Sequence, residues 1–320
     1  MCYNVYNKEG GNSLIELYFA GKLTKQINTQ LYNLGVNKLY SYINERNEID
    51  HWCKLVKKCG KKGKLFIDSG AFTAWTQNRY INVDDYIHFI NDRSEYIDYY
   101  GQLDFIPGKI NAPATPTQVS VAAEYTWQNY LYMYYKMKNP QGLMYTFHVG
   151  EPLWQLRRAM EWKDENGNAL TCMALGGMVG KNRKTQLEFI EKCFDVIKHS
   201  SNPDVKVHAF GLIVPSVLEN YPFYSADSTG WLQCGQNGSI YIPEGILLVS
   251  DQQLNKKEHI YNQLPEVIKK IRDYVESKGY TLEVLVENSV QRCVWNVLFL
   301  NEWAKNYSFS KNIIKRRRLF

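Results

Sequence analysis

From residue 38 onward, short apolar runs ending in Gly, Asp, Ser or Pro alternate with longer amphipathic stretches. The short runs fall at 38–42 (KLYSY), 64–68 (KLFID), 102–106 (QLDFI), 143–149 (LMYTFHV), 171–175 (TCMAL), 205–213 (VKVHAFGLI), 223–227 (FYSAD) and 245–249 (GILLV). Helices are predicted at 83–91, 120–137, 152–162, 184–198, 258–278 and 286–306. In the fourth of these, Leu187, Ile190, Phe194 and Ile197 recur at intervals of three and four, one face of a helix. A strand buried on both faces reads as a continuous apolar run, and strands separated by helices pair in parallel. About eight such units predict an α/β fold, a (β/α)8 barrel, ahead of an open doubly wound sheet. The glycine-rich phosphate turn of the open sheet does not follow the first run.

A hydrophobic fraction of 45% with 22% charged residues excludes a disordered chain. No run approaches the roughly 18 uncharged apolar residues of a membrane span, so no membrane partner is expected. The first residues lack the apolar segment of a signal peptide, which leaves secretion unsupported. Seven cysteines are scattered and never form Cys-x-x-Cys. That pattern argues against a disulfide framework and a compact zinc knuckle, and for a reducing, cytoplasmic setting. The net charge of +6 permits a polyanionic partner without demanding one. No Ser/Gly-rich linker divides the chain, so residues 1–320 read as a single barrel domain with a basic tail at 311–320. The segment 107–117, holding Pro107, Pro113 and Pro116, is long for a strand-to-helix connection and is a candidate active-site loop.

Barrels of this kind assemble their chemistry from side chains at the carboxyl ends of several strands. The second run ends in Asp68-Ser69-Gly70-Ala71-Phe72, and the third carries Asp104. The fourth ends in His148-Val149-Gly150-Glu151 and the fifth in Gly176-Gly177-Met178-Val179-Gly180. The sixth carries His208 and ends in Phe210-Gly211, and the seventh ends in Asp227-Ser228-Thr229. Taken singly, Asp68 and Asp227 each read as well as turn caps. Two such carboxylates facing one pocket are a nucleophile and a general acid/base, the division used at glycosidic carbons. Asp104 reads as a hydrogen-bond acceptor or a buried structural acid. The Gly176-Gly177 pair is either turn chemistry or bare backbone against which a flat ligand lies. His148 and His208 fit satisfied core imidazoles. No His-Glu-x-x-His or His/Cys cluster is present, so no metal site is expected.

In order and placement these residues resemble the tRNA-guanine transglycosylase superfamily, (β/α)8 barrels that exchange guanine for a 7-deazaguanine. The likeness is greatest to the phage and bacterial branch acting on DNA. The family's Asp-Ser-Gly-Gly-Phe stands here as Asp68-Ser69-Gly70-Ala71-Phe72, and its base-recognition Asp as Asp104. Its Gly-Gly-Leu-Ala-Val-Gly stands as Gly176-Gly177-Met178-Val179-Gly180, one residue shorter, and its nucleophilic Asp as Asp227. His148 stands where the family places a base-contacting Gln. The resemblance runs from about Leu39 to Trp231.

Two departures bear on the substrate. The tRNA enzymes carry a zinc subdomain of three clustered cysteines and a distant histidine after the nucleophile; here only Cys234, Cys293 and His259 follow Asp227, far apart. The Asp-Cys-Val-x-Pro-Thr-Arg surroundings of their nucleophile are replaced by Ala226-Asp227-Ser228-Thr229-Gly230-Trp231. The resemblance therefore implies a barrel lacking the zinc subdomain and acting on DNA, in the host cytoplasm if phage-encoded. Asp227 would attack C1′, and Asp68 would take the N9 proton of the incoming base. Ser69, Asp104, His148, Gly176, Gly177 and Gly211 would bind that base, with Phe72 or Met178 against its faces. The co-substrate is a 7-deazaguanine such as 7-cyano-7-deazaguanine, and no cofactor is implied. Lys181, Arg183, Lys184, Arg292, Arg316 and Arg317 are candidate phosphate contacts, although each taken alone reads first as plain surface charge. A zinc-free enzyme acting on tRNA, a hydrolytic glycosidase and a non-catalytic nucleic-acid-binding barrel are the competing readings. Oligomeric state is left open.

Overall fold

The computed structural model describes residues 15–109, 112 and 114–307. The basic tail, with Arg316 and Arg317, lies outside the described residues. Eight parallel strands close on themselves in chain order. They are β1 (Glu16–Ala20), β2 (Lys38–Ser41), β3 (Leu65–Asp68), β4 (Tyr99–Gly101), β5 (Leu143–His148), β6 (Cys172–Gly176), β7 (Lys206–Ala209) and β8 (Ser225–Ser228). The helices between them are α1 (Lys25–Asn33), α2 (Arg46–Cys59), α3 (Ala71–Thr76), α4 (Val83–Asn91), α5 (Pro116–Lys136), α6 (Leu153–Glu161), α7 (Arg183–Lys198) and α8 (Pro215–Leu218). The fold is thus the (β/α)8, or TIM, barrel that the alternation predicts, and none of the helices described is long and apolar enough to cross a membrane.

Three strands are not where the apolar runs place them. The barrel closes through β1, which pairs Glu16 with Ser225 and Tyr18 with Asp227. The run at 245–249 is instead one arm of an antiparallel hairpin, β9 (Ser239–Ile242) and β10 (Gly245–Leu248), outside the barrel. The physical reason is burial: β10 is exposed or half-exposed throughout, whereas β1 is buried at four of its five positions. Asp227 accordingly ends the eighth strand rather than the seventh. The fourth strand stops at Gly101, so Asp104 stands in the loop beyond it rather than within a strand.

Strand side chains alternate in direction, and this period decides what enters the lumen. Along β3 it aligns Phe66 with Asp68, and along β7 and β8 it aligns His208 with Ser225 and Asp227. The rings of Tyr18, Phe66, His208 and Phe210 meet inside, with Phe66 and His208 centroids 4.9 Å apart. This packed layer supports the acids that follow it in sequence.

After β8 the chain runs through α9 (Gly230–Gln236), the hairpin, α10 (Pro265–Ser277) and α11 (Leu282–Glu287) before α12 (Ser289–Lys305). This segment encloses its own apolar core of Ile240, Val249, Ile260, Val275, Leu285 and Trp295. On the other face of α12, Val294, Val297 and Leu300 join the barrel core. The segment is therefore an apolar layer with its own core, joined to the barrel through α12. Arg292, a candidate phosphate contact by sequence, is buried within it. Its guanidinium donates to the carbonyls of Gly235 (2.8 Å), Leu285 (2.9 Å) and Val286 (2.9 Å), which corrects that assignment. His259 is likewise buried, donating from Nε2 to the Val249 carbonyl (2.9 Å) and accepting the Tyr261 N–H at Nδ1 (3.1 Å).

Candidate active site

Asp68 ends β3, and its Oδ2 accepts the Gly70 N–H at 3.1 Å. It does cap a turn, as one reading of the sequence has it. Gly70 has φ +77°, and a Cβ there would lie 2.4 Å from Ile43 Cγ2, so this turn requires glycine. Capping does not exhaust the role of Asp68. Burial, then the charges of Asp104 and Asp227, push its carboxyl up to about 7, against the pull of the Gly70 N–H. The charge of Glu45 adds to the same effect. Carboxylates from β3, the β4–α5 loop and β8 are therefore close enough at the carboxyl end of the barrel to act on one another.

Asp227 is buried, with 9% of its side chain exposed. The Gly211 N–H donates to its Oδ1 at 2.9 Å, and His208 Nε2 lies 3.2 Å from the same oxygen. His208 Nδ1 is 2.8 Å from Ser225 Oγ. A carboxylate can only accept, so the partners assign the proton of His208 to Nε2 and leave Nδ1 to accept from the Ser225 hydroxyl. Both donors among the described residues go to Oδ1, leaving Oδ2 as the oxygen available for attack. Asp227 does not cap the following turn: Ser228 Oγ accepts the Gly230 N–H at 2.8 Å instead.

Asp104 is held from two sides. Gln102 Nε2 donates to its Oδ1 at 3.0 Å, and His148 Nε2 lies 3.3 Å from its Oδ2. Glu151 Oε1 is 3.0 Å from His148 Nδ1. Burial opposes charge on His148, but Asp104 and Glu151 outweigh it and hold the imidazole well above its usual range. His148 is thus a charged clamp with both nitrogens engaged, oriented toward Asp104 rather than toward a ligand. Gly176 is demanded by this packing, since a Cβ there would come within 2.8 Å of His148 Cδ2. Gly177 follows it, and Ser69 is buried behind Asp68.

Of the two residues expected against the faces of a flat ligand, Phe72 is 65% exposed on the first turn of α3. Met178 is buried in the core between barrel and helices, so its side chain cannot lie in the cup. The backbone explains this: after Gly176 the chain turns outward, and the Met178 carbonyl accepts the buried Gln186 amide at 2.9 Å. Phe210 does stand at the lumen, half-buried, its ring 5.5 Å from Phe66. Lys181, Arg183 and Lys184 are exposed at the start of α7. Arg183 donates to Gln186 Oε1 (2.9 Å), and Lys184 lies 4.0 Å from Glu188.

Sequence reasoning passed over Gln102, Glu151, Ser225 and the role of His208. Period two along the runs around His208 and Asp227 was the available signal for His208 and Ser225. Nothing local marks the partners of Asp104. Among the described residues, no group of three or more His, Cys, Asp or Glu side chains is arranged to hold a metal ion. No protein-family model and no curated protein matches this chain.

Proposed function

We propose that this barrel is a base-exchange glycosyltransferase that replaces guanine in DNA with a 7-deazaguanine, through a covalent bond between Asp227 and C1′ of the nucleotide. The observation that carries the reading is that Asp68 and Asp227, at the carboxyl ends of β3 and β8, act on each other electrostatically while held in different environments. Asp68, lifted to about 7, both holds and releases a proton near neutral pH. Asp227 is oriented by two N–H donors on a single oxygen.

In the first displacement Asp227 Oδ2 forms a bond to C1′ as the C1′–N9 bond breaks, and the departing guanine takes its proton from Asp68. In the second, the incoming deazaguanine gives its N9 proton to the Asp68 carboxylate. The N9–C1′ bond forms and the ester to Asp227 breaks, so charge and protons balance over the cycle. Asp104, held by Gln102 and His148, is an acceptor placed for the edge of the base. Phe72 and Phe210 supply apolar surface for its faces. An extruded base is the form that reaches such a cup, because C1′ chemistry is blocked inside a stacked helix.

The direct test incubates the purified protein with guanine-containing DNA and labelled 7-cyano-7-deazaguanine, followed by mass analysis of the nucleosides. Label in full-length DNA, and none with Asp227→Asn, is the expected result. Abasic sites without incorporation would reassign the barrel as a hydrolase. Labelling of tRNA but not DNA would move it to the tRNA reading. DNA binding indifferent to Asp68 and Asp227, with no exchange, would make it a binding module.

A further inference from the structure

The mouth of the barrel carries a chain of aromatic rings that, Phe72 apart, no part of the exchange chemistry uses. It starts beside Phe72, whose ring lies 5.8 Å from Trp75 at an interplanar angle of 35°. Trp75 Nε1 donates to the Gly108 carbonyl at 3.4 Å, which ties α3 to the loop bearing Phe105. Phe105 is 51% exposed and stacks obliquely on Tyr125, itself 50% exposed, with centroids 5.2 Å apart and a tilt of 37°. The Phe105 N–H is anchored to Thr126 Oγ1 at 2.9 Å, so its position is fixed. Next to Tyr125, Glu124 pairs with Arg158 at 2.8 Å, and that guanidinium lies 5.5 Å from the ring centre of Trp154, 49% exposed. The rings thus fall in three places, on α3, on the β4–α5 loop with α5, and at the start of α6, linked by the Trp75–Gly108 hydrogen bond and the Glu124–Arg158 pair.

Water-exposed aromatics joined in this way are costly on a free surface and suit a ligand with flat apolar faces. Charge orients that ligand. The acids of the cup floor repel phosphates, while Lys181, Arg183 and Lys184 stand exposed on the β6–α7 side. A polynucleotide crossing the mouth therefore places its phosphates toward β6 and its bases toward the rings.

The geometry points to a single-stranded polynucleotide as the partner of this rim, with the unpaired bases next to the target nucleotide stacked on Phe105, Tyr125 and Trp154. This deepens the base-exchange reading and rests on it for the identity of the target nucleotide alone. A base in a duplex has both faces covered by its neighbours, so the rings distinguish unpaired from paired strands.

The test measures fluorescence anisotropy of labelled guanine-free 12-mers: oligo-dT, oligo-rU, and the dA·dT duplex. Single strands should bind at least tenfold tighter than the duplex. Phe105→Ala and Tyr125→Ala should each weaken single-strand binding about tenfold without altering its salt dependence. Tyr125→Phe should restore it. Lys181→Ala should instead lower the slope of log affinity against log salt by about 0.7. Tighter binding of oligo-dT than oligo-rU identifies the strand as DNA, and the reverse as RNA, with the rim upheld in either case. Equal or tighter duplex binding, or unchanged affinity in both alanine variants, overturns the proposal. Because these strands contain no guanine, ring-dependent binding by a protein that exchanges no base leaves the rim intact and removes the reaction. Exchange by a protein indifferent to the rings does the converse.

Discussion

The two ends of the barrel use the same kinds of side chain in opposite ways. At the amino ends of the strands, Glu16 is bonded to Lys64, to the Tyr224 hydroxyl at 2.8 Å and to the Tyr18 hydroxyl at 2.9 Å. Asp98 there meets Lys61 at 2.8 Å and the Leu65 N–H at 2.9 Å. Burial opposes the Lys64 ammonium, yet Glu16 outweighs it and lifts the lysine above its usual range. Both of these acids have a cation. At the carboxyl ends, Asp68 is under the like charges of Asp104, Asp227 and Glu45; among the described residues none of the three aspartates is bonded to a Lys or Arg, and Asp104 alone has the charged His148 beside it. Like charges held together destabilise a fold unless something else requires them, so the lower end is built for stability, and the upper end, where the proposed exchange would occur, sacrifices some of it.

Asp227→Asn gives the largest effect that would break or sharpen this contrast. Exchange should fall on the order of 10⁴-fold or more, and no covalent protein–DNA adduct should survive a denaturing gel. For Asp68→Asn the rate should drop by about 10²–10⁴-fold while an adduct with Asp227 still forms. The same variant has a stability signature of opposite sign. A raised carboxyl holds its proton more tightly in the fold than in the unfolded chain. That contribution is complete below the ordinary value of 3.8 and is lost as pH climbs through about 7. Asp68→Asn should therefore melt higher than the parent at pH 8, with the gain shrinking toward pH 4. A rise that is equal at both pH values would sink the raised carboxyl.

At the lower end the effect moves from rate to stability. Glu16→Ala strands Lys64 and two tyrosine hydroxyls, costing on the order of 1–3 kcal/mol in denaturant unfolding, with turnover per folded molecule unchanged. Arg292→Met removes the guanidinium from the Leu285 and Val286 carbonyls and leaves that of Gly235 with the Gly238 N–H, and should cost about as much, while the salt dependence of DNA binding stays as it was. If that slope falls, Arg292 touches phosphate after all. The smallest effect sits on the cup floor: Asp104→Asn removes one like charge, so the limb of the pH–rate profile near 7 should move down by roughly one unit.

Much of this was legible in the chain. The alternation of apolar runs and amphipathic stretches announces a barrel, and the strand-end rule selects Asp68, Asp104 and Asp227 without any coordinates. The closing strand, ELYFA at Glu16–Ala20, is as long as most of the other apolar runs but precedes residue 38, from which the alternation is traced. The run at 245–249 misled because an exposed hairpin arm and a buried strand share an apolar composition. Met178 was misplaced because adjacency to a glycine pair says nothing of which way a turn sends the next side chain. Arg292 looked like any surface cation until the carbonyls of α9 and α11 closed around it.

The order of hydrophobic and polar residues by itself determined the class of fold and which acids stand at the strand ends, because strand and helix periods are local properties of the chain. Tertiary structure alone decided that Asp68 carries its proton near neutrality, that His148 is locked between Asp104 and Glu151, and that Asp227 is held by its N–H donors. Those outcomes depend on desolvation and on charges brought together from distant strands, and neither quantity exists until the barrel closes.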